Sequence, residues 1–122
     1  MINFSFNSTR EFTGRPPTDY PDILNFEGIF SIEIDNKPYF FEPHFSVFEF
    51  LMFTNKWINN IDKTKNMLFN CIDTEDNPLI SFINRNGKWH IYSPWQLFEC
   101  NTAFSREELV AAITQLKKSM GI

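Results

Sequence analysis

Residues 68–99, LFNCIDTEDNPLISFINRNGKWHIYSPWQLFE, decide the fold of this chain. With Met67 they read as three consecutive antiparallel strands, at 67–73, 79–84 and 88–93. The first two are joined by Thr74-Glu75-Asp76-Asn77-Pro78, an acidic run of turn-forming residues. The second and third are joined by Asn86-Gly87. Both residues tolerate positive φ, which makes this dipeptide the strongest short-range hairpin signal. The period of two in the third strand places Trp89, Ile91 and Ser93 on one face and His90 and Tyr92 on the other. The stretch closes on an aromatic and amide cluster, Trp95-Gln96-Leu97-Phe98-Glu99. No residue in it has the spacing of a catalytic machine.

Working outward, each flank of this meander carries an amphipathic helix. Upstream, Ser46 and Glu49 have the spacing of a capping box, with Phe45 and Phe50 placed to staple the first turn. Val47, Phe50, Leu51, Thr54, Trp57, Ile58 and Ile61 then follow the helical period, and Asn59, Asn60 and Asp62 mark the end. Downstream, Ser105 and Glu108 repeat the box and Phe104 and Leu109 the staple. Leu109, Ile113, Leu116 and Met120 form the buried stripe of that helix. Lys117 and Lys118 suit its negative end, and Gly121 its C-terminal cap. Further upstream, 28–35 alternates Phe30, Ile32 and Ile34 against Ser31, Glu33 and Asp35. The turn Asp35-Asn36-Lys37-Pro38 returns it into 39–42 as a hairpin. Residues 2–6 form a short strand, and the proline-bearing polar run 8–21 a loop. The expected order is β-β-β-α-β-β-β-α. The fold class is α+β: an antiparallel sheet, hairpin plus three-stranded meander, with two amphipathic helices packed on one face, in a single domain spanning 1–122.

Composition narrows the function classes. A chain of 122 residues with 43% hydrophobic content builds one core without disulfides or metal. Its 15 Phe read either as an exposed aromatic binding face or as core filling in a composition tilted toward Phe, Ile and Asn; Phe belongs mostly in cores. A net charge of −4 disfavours direct nucleic-acid binding and suits a basic protein partner. Two cysteines without a C-x-x-C pair, no leader-like N-terminus and no apolar run of membrane length lead to the expectation of a cytoplasmic protein with reduced thiols.

Candidate chemistry is sparse. His44 and His90 have no neighbour at metal-ligand spacing, so no metal site is expected. Cys71 with His90 as base lacks a nucleophile elbow or a basic flank, and Cys100 likewise reads as structural. The carboxylates Asp73, Glu75 and Asp76 lack the calcium-loop pattern. They suit a solvated turn or a contact with a partner. Trp95 suits a cap over the core or an interface anchor. No Gly-rich phosphate loop is present, and no cofactor is expected.

A resemblance is carried by Trp57 ending its helix, by the acidic strand turn, by Leu79-Ile80-Ser81-Phe82, and by Trp89-x-Ile91-x-Ser93-x-Trp95-Gln96-x-Phe98-Glu99. Across 26–118 the chain resembles the small immunity proteins that Bacillus-type bacteria encode beside polymorphic toxins, including contact-dependent and cell-wall-associated toxins such as the Wap system. The resemblance implies a non-enzymatic inhibitor that binds the C-terminal domain of a cognate toxin, often a nuclease. Net charge and the lack of a long apolar run lead to the further expectation of no direct nucleic-acid and no membrane contact. The residues expected at that surface are Asp73, Glu75, Asp76, Trp95 and Glu99. The alternative is an α+β sensor or enzyme holding a small ligand in a pocket under the helices.

Overall fold

The computed structural model describes residues 1–8 and 17–122. Its elements are β1 (Ile2–Ser8), α1 (Tyr20–Asn25), β2 (Glu27–Ile34), β3 (Lys37–Ser46), α2 (Val47–Ile58), β4 (Met67–Phe69), β5 (Ile80–Arg85), β6 (Lys88–Tyr92) and α3 (Arg106–Ser119). Among the described residues they form an α+β fold with two antiparallel three-stranded sheets, ordered β1-β2-β3 and β4-β5-β6.

The two hairpins form as their turn residues dictate. Asp35 and Asn36 (φ 51° and 66°) join β2 to β3, and Asn86 and Gly87 (φ 57° and 84°) join β5 to β6. Paired positive φ matches the right-handed twist of the flanking strands. β1 adds to β2 with Phe4 opposite Ile32 and Phe6 opposite Phe30. Gly28 allows this closure: a Cβ there would lie 2.4 Å from the Asn7 carbonyl oxygen.

The strand boundaries differ from expectation where side chains outcompete the ladder. β4 stops at Phe69 rather than continuing to Asp73. Beyond it, the Asn77 carboxamide accepts from the Cys71 N–H (2.8 Å) and donates to the Cys71 and Thr74 carbonyls (2.9 and 2.7 Å). One side chain thus takes the groups a longer strand would have paired. β3 runs four residues past Glu42 and leads directly into α2. The expected loop 8–21 falls largely outside the described residues. Its last two residues open α1, where Pro21 occupies a first-turn position that needs no amide donor.

The two predicted capping boxes diverge. At α3 the box is complete: Ser105 Oγ accepts from the Glu108 N–H, and the Glu108 carboxylate accepts from the Ser105 N–H, each at 3.1 Å. Ser105→Ala is expected to cost about 1 kcal/mol in urea unfolding. At α2 the box does not form. Ser46 ends a strand, and its hydroxyl donates instead to the Ile23 carbonyl of α1 (3.2 Å). Glu49 is turned inward and is only 2% exposed. The predicted staple contact survives, with the Phe45 and Phe50 rings 5.7 Å apart. Arg106 at the start of α3 lies over the Trp57 ring (4.9 Å) and donates to the Ile58 carbonyl (3.1 Å), so α3 closes the C-terminal end of α2.

The core is aromatic. Phe30, Phe40, Phe45, Phe50, Phe69 and Phe82 are fully buried and fill the space beneath α2. Phe4 of the first sheet stacks on Phe82 of the second (6.3 Å, 9°). Trp57 meets Phe82 and Trp89 edge-on at 5.4 and 5.2 Å. The Phe excess is therefore mainly core filling, which joins both sheets into one hydrophobic cluster. No helix among the described residues is long and apolar enough to cross a membrane.

Candidate functional site

The two sheets approach each other at a groove of about 330 Å³. The first sheet supplies Glu27 from β2 and Glu42, His44 and Phe45 from β3. The second supplies Cys71, Asp73, Thr74 and Leu79 from the segment after β4, and Trp95 from the loop after β6. Phe45 and Leu79 give the groove an apolar floor. Its titratable rim is Glu27, Glu42, Asp73 and His44, and among the described residues no Lys or Arg lines it. His44 Nδ1 lies 3.8 Å from the Glu27 carboxylate, and the Glu42 carboxylate accepts from the His44 N–H at 2.9 Å.

Trp95 is held on three sides. Its indole N–H donates to the Asp76 carboxylate at 2.8 Å. Its ring stacks on Phe40 (6.3 Å, 11°), and its backbone N–H donates to the Ser93 hydroxyl at 3.1 Å. The side chain is half-buried, and these contacts fix its orientation. The acidic turn is held separately. The Thr74 hydroxyl accepts from the Asp76 N–H (3.1 Å), and Asn77 ties the turn back to Cys71. The Asp73 and Glu75 carboxylates are exposed and carry none of these bonds.

Three of the five residues expected at a binding surface, Asp73, Asp76 and Trp95, come together here, and Glu75 stands beside them on the same turn. Glu99 does not join them. It lines a separate groove on the outer face of the β4-β5-β6 sheet. Sequence reasoning missed Glu27, Glu42 and His44, because they sit on the other sheet and nothing local signals that the sheets meet at this point. Glu42 lies opposite Phe30 across the ladder and so shares the face of Phe40, a placement that no local pattern signals.

Glu49 lies behind the groove. Its Oε2 accepts from the Ile72 N–H at 3.3 Å, and its Oε1 has no partner among the described residues. Burial raises its carboxyl above the usual 4.5; the Cys71 thiol and the Ile72 N–H offset this in part. The folded state therefore holds this proton at pH values where the unfolded chain has released it. The resulting stability is complete below pH 4.5 and is lost as pH rises through the folded value. Glu49→Gln keeps an acceptor for Ile72 and removes the titration. It is expected to raise the melting temperature at pH 7, with the advantage shrinking toward pH 4, as a pH series of thermal melts would show. Burial likewise pushes the Cys71 thiol up to about 11, so it stays neutral near pH 7 and is no activated nucleophile. Among the described residues, no three His, Cys, Asp or Glu side chains converge as a metal site would.

The fold and the groove together define an α+β domain whose two sheets meet at an acidic, tryptophan-walled cleft. The chain belongs to the DUF7878 family, a domain of unknown function, which matches residues 2–121. No curated protein and no solved structure matches it.

Proposed function

We propose that this protein is a cytoplasmic immunity protein that binds and neutralises the basic C-terminal domain of a bacterial toxin, of the kind that cleaves nucleic acid. One observation carries the reading: Trp95 is locked between Phe40 and Asp76 at the edge of a groove rimmed by Glu27, Glu42 and Asp73, without a lysine or arginine among its described lining. A half-buried, orientationally fixed tryptophan is the type of side chain that anchors interfaces, because little rotamer freedom is left to lose on docking. Carboxylates around it steer a basic surface and fix its register. A domain that grips phosphate backbones must itself be basic. An acidic inhibitor covering that surface would block substrate access without any chemistry of its own.

The test is capture of partners by the tagged protein from its own strain at moderate salt, followed by mass spectrometry and titration calorimetry. A basic toxin domain bound at one to one, its toxicity suppressed on co-expression, is the expected result. A stoichiometric partner of acidic character, or a toxin bound but left active, would sink the reading.

A further inference from the structure

The outer face of the β4-β5-β6 sheet holds a second groove of about 510 Å³, opposite in character to the first. Alternation along β5 turns Ile80 and Phe82 into the core and Ser81, Ile83 and Arg85 outward. Across the ladder, Ser81 pairs with Tyr92, Ile83 with His90 and Arg85 with Lys88. Outward residues of a sheet ordinarily meet water, yet Ser81 is only 4% exposed. The segment after β6 is folded over it. The Gln96 carboxamide oxygen accepts from the Tyr39 hydroxyl (2.7 Å), and the Leu97 N–H donates to the Tyr39 carbonyl (2.7 Å). The strand-like bridge of Phe104 with Trp89 then runs this segment back antiparallel to β6, which leaves Glu99 near Tyr92 and away from Arg85.

The groove is therefore polar at both ends, with Ile83 and the His90 ring between. At its closed end are the Ser81 hydroxyl, the Gln96 amide and the Glu99 carboxylate. The Ser81 hydroxyl makes no hydrogen bond among the described residues and stays open to the groove, and the Gln96 Nε2 is left to donate. At the open end is Arg85. The Arg85 guanidinium forms no ion pair among the described residues. Ile83 and His90, paired across the ladder, line the middle, and Tyr92 stands beside Ser81 at the closed end. Ser81 and Arg85 are four residues apart on one strand, a span of about 13 Å. A hydroxyl that faces the groove without a protein partner is open to water or to a ligand. An unpaired guanidinium on the same face calls for an anion.

We propose that this groove is a binding site for a small elongated molecule carrying a carboxylate or phosphate at one end, an apolar body, and a hydrogen-bonding hydroxyl or amine at the other. The anion sits at Arg85, the body on Ile83 and the His90 ring, and the far polar group at Ser81, Tyr92, Gln96 and Glu99. The site is independent of the acidic groove and prefers the opposite charge at its mouth.

The experiment is an amide NMR titration of the whole protein with 3-(4-hydroxyphenyl)propionate, and separately with phenyl phosphate. The neutral 3-(4-hydroxyphenyl)propanamide serves as the control. Saturable shifts at residues 81–92 and 96–101 are expected, with a dissociation constant on the order of 1 mM or tighter for such small molecules. Arg85→Ala is expected to weaken binding about tenfold or more and the amide to bind correspondingly worse, while Ser81→Ala weakens only the hydroxyl-bearing probe. Whichever of the two anions binds more tightly identifies the carboxylate or phosphate class. Arg85 is exposed at a strand end, so its removal leaves the fold intact and the comparison clean. Failure of both anions to saturate, shifts located elsewhere, or binding indifferent to Arg85→Ala would each overturn the proposal.

Discussion

Phe50→Ala is expected to lower the free energy of unfolding by about 3–5 kcal/mol. The ring is fully buried and is the hub of the aromatic core. It meets Phe4 at 5.9 Å, Phe30 at 5.5 Å, Phe45 at 5.7 Å and Phe69 at 5.3 Å, and so touches strands of both sheets from a helix. Removing it opens a cavity that these rigid neighbours close poorly, because flat rings held edge-on do not flow into a void. A domain of this size has a total stability of roughly 5–15 kcal/mol, so the loss is a large share of the whole. Urea unfolding should show a lower midpoint with an unchanged slope. Phe50→Leu should cost clearly less, since most of the volume is restored. A loss below about 1 kcal/mol for the alanine variant would mean that the sheets do not meet around this side chain.

The second large effect concerns the proposed partner. Asp73→Lys combined with Glu75→Lys is expected to weaken binding of the toxin domain on the order of 100-fold, mostly through slower association, and to flatten its salt dependence. The two positions suit the test because their carboxylates make no hydrogen bond or ion pair among the described residues: Thr74 and Asn77 keep the turn in shape. The melting temperature should therefore stay close to that of the unaltered protein, which separates a lost contact from a lost structure. Affinity that survives both reversals would remove this turn from the interface. A variant still bound by the groove ligand but no longer by the toxin domain would show the two surfaces to be independent.

Much of the fold was legible because local signals and tertiary structure agree. The Asn86-Gly87 and Asp35-Asn36 turns, the alternation through Phe30, Ile32 and Ile34, and the box at Ser105 each needed only neighbouring residues. The misreadings share one cause, which is that a polar side chain found a better partner than the local pattern offers. Ser46 bonds to Ile23 and Glu49 to Ile72, so a spacing that signals a helix cap became a buried carboxylate. Asn77 took the backbone groups of Cys71 and shortened β4. The division into two sheets, which meet through rings such as Phe4 and Phe82, is something no period in the sequence reports. The candidate site was legible as residue types, an acidic turn and a tryptophan. The 19-residue span between Asp76 and Trp95, and the arrival of Glu42 from the other sheet, depend on packing alone. Glu99 was read with its sequence neighbour Trp95, yet the chain folds back after it and leaves it on the opposite side of the sheet.

The construction of the acidic turn has a consequence for how such a surface could change over generations. Shape is assigned to Thr74 and Asn77, and charge to Asp73 and Glu75. Substitutions at the charged positions alter what the surface attracts while leaving the turn, the strand it ends and the core beneath it untouched. On the proposed function, a lineage meeting a rival with a differently charged toxin could thus retune recognition one residue at a time, with the aromatic scaffold inherited unaltered. Variation among family members should accordingly concentrate at positions 73 and 75 and spare 74 and 77.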